Sequence, residues 1–312
     1  MAARGQRLRI GLIGWGTVGS ALGELVARGP LPLELVSVGL RDTTRERASA
    51  VPDGVDIGPA EAVVEADVSV VVELAGGTES PLAWARHTLE LRRAYVTANK
   101  ALLATHGAEL AALAERQQTA LLASASVGGG TPMIEMVEHL AATGAIHRLR
   151  GLLNATSTFI LSAMGEGRAY DEALAEAQRA GYAEADPSFD VTGRDAAQKL
   201  AILASVAWGR WRTESEVDTR GIVDLAVEPG RTVRLLAEAD AEGMRVGPME
   251  LDGGSRLSLA TGVESVLEVE VAGAGTFRIS GPGAGGRATA GAVYADLARL
   301  VSGERPVLGL RR

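Results

Sequence analysis

The chain contains no cysteine, which excludes a thiolate nucleophile, a disulfide and thiolate-bound zinc, and with them the oxidation of an aldehyde through a thioester. Lysine is almost absent too: of 31 basic side chains, 29 are arginine and only Lys100 and Lys199 remain. Arginine cannot be deprotonated in a protein, whereas a lysine ammonium shifts its pKa readily on burial. A site needing a proton donor and acceptor cannot use arginine instead, so both lysines are candidates before any motif is read. Runs of basic residues long enough to track a phosphate backbone are missing, and acidic residues outnumber basic ones 39 to 31, so nucleic acid is not an expected partner. No apolar run approaches the roughly 18 to 20 residues of a membrane helix. The N-terminal MAARGQRLRIGLIGWGTVGS is broken by glycines and lacks an export cleavage site, so it reads as a first strand and the protein is expected in the cytoplasm, away from membranes. His87, His106, His139 and His147 show no metal spacing and read as structural or surface residues.

What is present has the size of two domains, 312 residues at 46% hydrophobic. Residues 8–13 form a short apolar strand ending in a glycine turn; 20–28 carry helical periodicity and 33–40 read as a second strand. The run DVSVVVEL at 67–74 suits a buried parallel strand. Shorter strands at 95–98 and 120–123 alternate with helices near 80–93 and 106–117. This order predicts an α/β fold with a Rossmann-type, doubly wound parallel sheet through about residue 130. Gly128–Gly129–Gly130 and Pro132 mark a boundary. Beyond it, a strand at 149–153, helices at 171–180 and 194–208, and strands at 244–251, 265–271 and 276–280 fit a second, mixed α/β domain. A last helical stretch covers 290–300.

Gly14–Trp15–Gly16–Thr17–Val18–Gly19 matches G-x-G-x-x-G between a predicted strand and a predicted helix. In that setting the glycines allow a tight turn, the approach of a pyrophosphate to backbone N–H groups at the helix start, and close helix–strand packing. Trp15 reads as packing over the cofactor groove or the domain junction. After the second strand comes Leu40–Arg41–Asp42, with Arg45 and Arg47 just beyond. Arg41 suits a 2′-phosphate and favours NADP; Asp42 would instead take the ribose hydroxyl of NAD.

Glu184, Asp186, Asp190 and Asp195 place four carboxylates within twelve residues, followed by Lys199. Carboxylates suit the ammonium of an amino-acid substrate. Asp195 and Lys199 stand i, i+4 on a predicted helix, so the acid can orient the amine.

VTANKALLATHG around Lys100, ASVGGGTPMI around Gly128, GLLNATSTFIL, GYAEADPSFDVTGRDAAQKLAIL and GPGAGGRATAGAVYADL occur in that order along nearly the whole chain, which resembles homoserine dehydrogenase. The resemblance implies NADP- or NAD-dependent interconversion of homoserine and aspartate semialdehyde, with Lys100 and Lys199 as the proton-transfer pair and Asp195 orienting Lys199. It implies that Glu184 binds the substrate amino group, that Asp190 supports the substrate, and that Thr156 and the backbone of Tyr182 line the pocket. Gly77, Thr78 and Asn99 would lie at the nicotinamide end of the cofactor groove, and Gly285 would return the chain to close it. The implied division is a dinucleotide-binding domain over 1–135, joined again by a C-terminal helix over about 287–312, and a substrate-binding and dimerisation domain over 136–286 that forms a homodimer through its sheet. Ser124 stands where relatives often have a glutamate beside a loop that holds a monovalent cation, so no metal is expected. Ala155 replaces the glycine usual before the pocket threonine, which would narrow the pocket. The sequence ends at Arg312 without the regulatory domain many relatives append, so feedback inhibition by threonine through such a domain is not expected. Two other readings stay open: a catalytically silent dinucleotide-binding sensor, and a dehydrogenase of another small hydroxy amino acid.

Overall fold

A computed structural model describes residues 7–42, 47, 49–260, 262 and 264–309; Arg45 and the end of the expected C-terminal helix lie outside them. The chain forms two compact units, one running through Gly130 and resuming at Gly285, the other spanning Thr131–Ala284.

The first unit begins β1 (Leu8–Ile13), α1 (Thr17–Arg28), β2 (Leu33–Gly39), β3 (Asp56–Gly58), α2 (Ala60–Glu65), β4 (Val70–Glu73), α3 (Glu79–Glu90), β5 (Ala94–Thr97), α4 (Lys100–Arg116) and β6 (Leu121–Leu122). Its six strands are all parallel in the order β3-β2-β1-β4-β5-β6. Parallel strands are covered on both faces and so read as continuous apolar runs; Val70–Glu73 is buried at every position. The order reverses between β1 and β4, so the crevice outside their carboxyl ends is where such a sheet takes its ligand.

The second unit contains α5 (Met133–Thr143), β7 (Ile146–Leu152), α6 (Ala155–Gly165), α7 (Tyr170–Arg179), α8 (Ser188–Val191), α9 (Arg194–Trp208), β8 (Val217–Thr219), β9 (Val233–Ala239), β10 (Met244–Glu250), β11 (Glu264–Val271) and β12 (Gly275–Pro282). Its mixed sheet runs β12-β11-β7-β9-β10-β8, with only β8 and β10 parallel. Helices α6 and α9 pack on the sheet. One sheet face carries cross-strand charges of alternating sign. Glu238 lies between Arg150 at 2.7 Å and Arg245, while Glu268 pairs with Arg278 on the neighbouring strand. Further along that face Leu152, Leu236 and Val266 pack beneath Leu257 of the turn at Arg256–Leu259.

The first unit is completed by α10 (Gly286–Val301), which packs on α1 and buries Ala290, Val293, Leu297 and Leu300 in the sheet's core. It stops well short of the expected 312 because Gly303 takes φ +90° and Pro306 follows. Leu308 N–H then donates to Leu121 O at 3.0 Å, beside β6. Among the described residues no helix is long and apolar enough to cross a membrane.

Candidate active site

The residues named from sequence gather in two polar centres, one in each unit.

In the first unit, β1 ends at Gly14, whose φ of +103° makes the turn that a side chain would strain. Gly14 N–H donates to Gly39 O at 2.9 Å. A Cβ on Gly19 would lie 2.1 Å from Gly14 O, so α1 can pack this closely only without a side chain there. Gly16 differs: apart from its chain neighbours, no described protein atom lies within 4 Å of a Cβ placed on it, so the space above it is open. That space lies at the start of α1, where the N–H groups of Thr17, Val18 and Gly19 begin the helix and favour an anion. A dinucleotide pyrophosphate fits that cradle. Gly285, at φ +125°, starts α10, and a Cβ on the following Gly286 would meet Thr17 Cγ2 at 2.4 Å, so the two helix starts lie together.

Trp15 is buried within the first unit. Its ring packs against Gly23 of α1, it is 7% exposed, and its Nε1–H donates to Ser49 O at 2.9 Å, tying down the segment after β2. Arg41 and Asp42 are both exposed at the end of that strand, and an Arg47 guanidinium N–H donates to Asp42 O.

The nicotinamide-end residues named from sequence meet around one that was not named, Glu73. This carboxyl group ends β4 fully buried. One oxygen accepts from Ala75 N–H at 2.7 Å and Gly76 N–H at 2.9 Å, and the other from Thr97 Oγ1 at 2.8 Å. Thr97 Oγ1 in turn accepts from Asn99 N–H at 3.0 Å. Asn99 caps α4 through Leu102 N–H and donates to Gly77 O at 2.7 Å. Glu73, Thr97 and Asn99 thus fix the turn Ala75–Thr78, in which Gly76 and Gly77 both have positive φ. Lys100 is the first residue of α4, which begins six residues earlier than its periodicity predicts because the Asn99 cap starts it. Ser124 is buried, and both its N–H, at 3.0 Å, and its hydroxyl donate to the fully buried Asp296 of α10, a partner distant in sequence. Among the described residues no group of three or more His, Cys, Asp or Glu is placed to hold a metal ion.

In the second unit the starts of α6, α8 and α9 converge. Asn154 caps α6, its Oδ1 accepting from Ser157 N–H at 2.7 Å. Its Nδ2 donates to Asp190 Oδ1 at 2.7 Å and to Asp195 Oδ2 at 2.8 Å. Lys199 Nζ donates to the same Asp195 oxygen at 2.7 Å and to Leu153 O at 2.8 Å. The i, i+4 spacing therefore forms the expected pair, and both side chains are largely buried. Thr156 Oγ1 donates to Tyr182 O at 2.7 Å, which pins the loop carrying Glu184 to the start of α6. The four carboxylates do not act together. Asp190 and Asp195 join the lysine; Asp186 accepts from Ser188 N–H at 3.0 Å and starts α8; Glu184 is exposed. Burial pushes the Asp190 carboxyl above the usual carboxylate range; the Asn154 amide opposes this, and neighbouring Asp195 adds to it. An ammonium held by a carboxylate and a carbonyl can exchange a proton, and the second carboxylate beside it, once ionised, can receive a cationic ligand.

Residues 14–123 match the family model described as homoserine dehydrogenase, NAD binding domain, and residues 132–298 match that described as homoserine dehydrogenase. The homoserine dehydrogenase of Synechocystis sp. is 36% identical over 329 residues, spanning 96% of this chain and 76% of the relative. That of Corynebacterium glutamicum is 36% identical over 318 residues, spanning 94% and 72%. Among solved structures, a homoserine dehydrogenase from Thiobacillus denitrificans superposes with a TM-score of 0.92 at 31% identity, covering 98% of this chain and 77% of that one. A hyperthermophilic archaeal homoserine dehydrogenase in complex with NADPH gives 0.83 at 27%, covering 97% and 100%.

Proposed function

The chain belongs to the homoserine dehydrogenase family, and from that premise we propose that its two polar centres divide the reaction, coenzyme to the first unit and substrate to the second. The activity is the NAD(P)-dependent interconversion of L-homoserine and L-aspartate 4-semialdehyde, a step toward threonine and methionine. The observation that carries the division is the buried Lys199 ammonium held by Asp195 and Leu153 O.

When bound, the nicotinamide coenzyme supplies or accepts the hydride at the carbon bearing the hydroxyl. Thr17, Val18 and Gly19 would hold its pyrophosphate through backbone N–H groups, with Gly16 leaving room for it. Gly77 and Thr78, in the turn that Asn99 holds, would meet the nicotinamide end, and Arg41 at the end of β2 recommends NADP over NAD. A related archaeal structure holds NADPH.

Lys199 carries the proton. In reduction its ammonium donates to the aldehyde oxygen as negative charge develops there; in oxidation the neutral amine takes the hydroxyl proton. Asp195 orients that amine and stabilises its charged form. Lys100 is the second member of the pair. Asp190 and Glu184 receive the substrate ammonium, and Thr156 with the Tyr182 backbone shapes the pocket, narrowed by Ala155.

The test is absorbance at 340 nm with purified protein, homoserine and NADP or NAD. Homoserine-dependent reduction, faster with NADP, is the expected result; tight coenzyme binding with no turnover would instead indicate a silent sensor. The reading extends to a cytoplasmic homodimer joined through the second unit's sheet, supported by its face of alternating charge. Sedimentation equilibrium should then give twice the 32.2 kDa chain mass, and a single-chain mass would refute the dimer.

A further inference from the structure

Asp190 and Asp195 belong to different helices, and neither reaches the other directly. The chain between them turns at Gly193, at φ +84°. What joins them is one amide nitrogen. Asn154 Nδ2 has two hydrogens and two acceptors, Asp190 Oδ1 at 2.7 Å and Asp195 Oδ2 at 2.8 Å. The other end of the same amide is fixed by Ser157 N–H, so the planar group has no freedom to flip. Asn154 is 3% exposed, and both of its amide hydrogens are taken.

We propose that Asn154 is a positioning residue for the reaction: by giving one hydrogen to each carboxylate, it keeps Asp195 aimed at Lys199 and Asp190 free for the substrate ammonium. The inference rests on the roles given above to Asp190, Asp195 and Lys199. Asp190 and Asp195 both feel the Lys199 ammonium, so without the amide they would compete for it or for a proton. Asp190 attracts a substrate ammonium only if it arrives ionised. The charged groups facing Asp190 are Asp195, which works against its ionisation, and Lys199, which favours it; burial works against it most, and the Asn154 amide is the strongest of the opposing influences. Loss of that donor moves the protonation of Asp190 to higher pH.

Asn154→Ser tests this without removing the cap, since serine is a good N-cap residue but is too short, and has too few hydrogens, to bridge two carboxylates. The expected variant melts near the wild-type temperature and binds NADPH with unchanged affinity. Its KM for homoserine rises about ten-fold, and the acidic limb of its kcat/KM profile moves up by about one pH unit, the shift that equals a factor of ten. Asn154→Asp keeps both cap and volume while replacing the donor with a third acid, so its limb moves further; it decides the matter should the serine variant fail to fold. An acidic limb at the wild-type position in a folded variant would overturn the role of Asn154. Wild-type protein that binds NADPH yet leaves homoserine unoxidised would instead overturn the roles assigned to the cluster.

Discussion

Lys199→Ala lowers kcat for homoserine oxidation by about a thousand-fold, the scale on which a positioned acid–base group contributes, while NADPH binding in the first unit is unchanged. Side-chain loss alone would leave Asp195 buried without its ammonium, which costs about 3 kcal/mol of stability and clouds the reading. Lys199→Arg separates the two effects. Arginine retains the charge opposite Asp195 and restores most of the lost stability, but cannot release its proton at working pH, so turnover stays near that of the alanine variant. A chain that uses arginine for nearly every other positive charge makes this the sharper substitution. Thermal melting and initial rates at 340 nm read both quantities. Wild-type turnover in Lys199→Arg would remove Lys199 from the proton path.

Glu73→Leu should have the largest effect on the first unit. Three donors now satisfied by the buried carboxyl group lose their acceptor at once, Thr97 in the core and Ala75 and Gly76 in an exposed turn. An unsatisfied buried donor costs roughly 1–3 kcal/mol, and with water reaching the two turn N–H groups the sum is roughly 2–3 kcal/mol. Urea unfolding measures that loss. NADPH affinity falls more than ten-fold in the protein that remains folded, because the Ala75–Thr78 turn has lost its anchor; NADPH fluorescence titration measures it. A Glu73→Leu protein as stable as wild type to within about 1 kcal/mol would show that the turn holds itself.

The parallel sheet was legible because β1, β2 and β4 are rich in β-branched and aliphatic residues, with few polar interruptions. β9 was not read from VRLLAEA, since Arg234 and Glu238 interrupt its apolar run, yet both are buried, at 7% and 5% exposure. Their burial depends on partners distant in sequence: Ser258 and Ala260 carbonyls for the arginine, Arg150 for the glutamate. Helices α5 and α6 were passed over because a glycine and proline cluster precedes one, while the other is rich in threonine and serine. The cap signal was nevertheless present, for Asn154 stands immediately before α6 as Asn99 does before α4. At the site, the Asp195–Lys199 pair could be found from spacing, because both members share one helix. Asn154 and Glu73 act on groups up to 41 residues away, a relation that periodicity cannot carry. For Glu73 a clue existed, an acid set between the Val70–Val72 run and Leu74, and the fold shows that acid to be the anchor of a turn.

The return of α10 to the first unit has a consequence for how the protein is made. Residues Ala290, Val293, Leu297 and Leu300, together with the Asp296 that holds Ser124, are translated after the whole of the second unit. A nascent chain therefore leaves the ribosome with its first six strands and no lid for α1, while the later unit is complete before the earlier one. Order of synthesis and order of completion are reversed, and the half-built coenzyme unit must wait with its apolar face open through the translation of Thr131–Ala284.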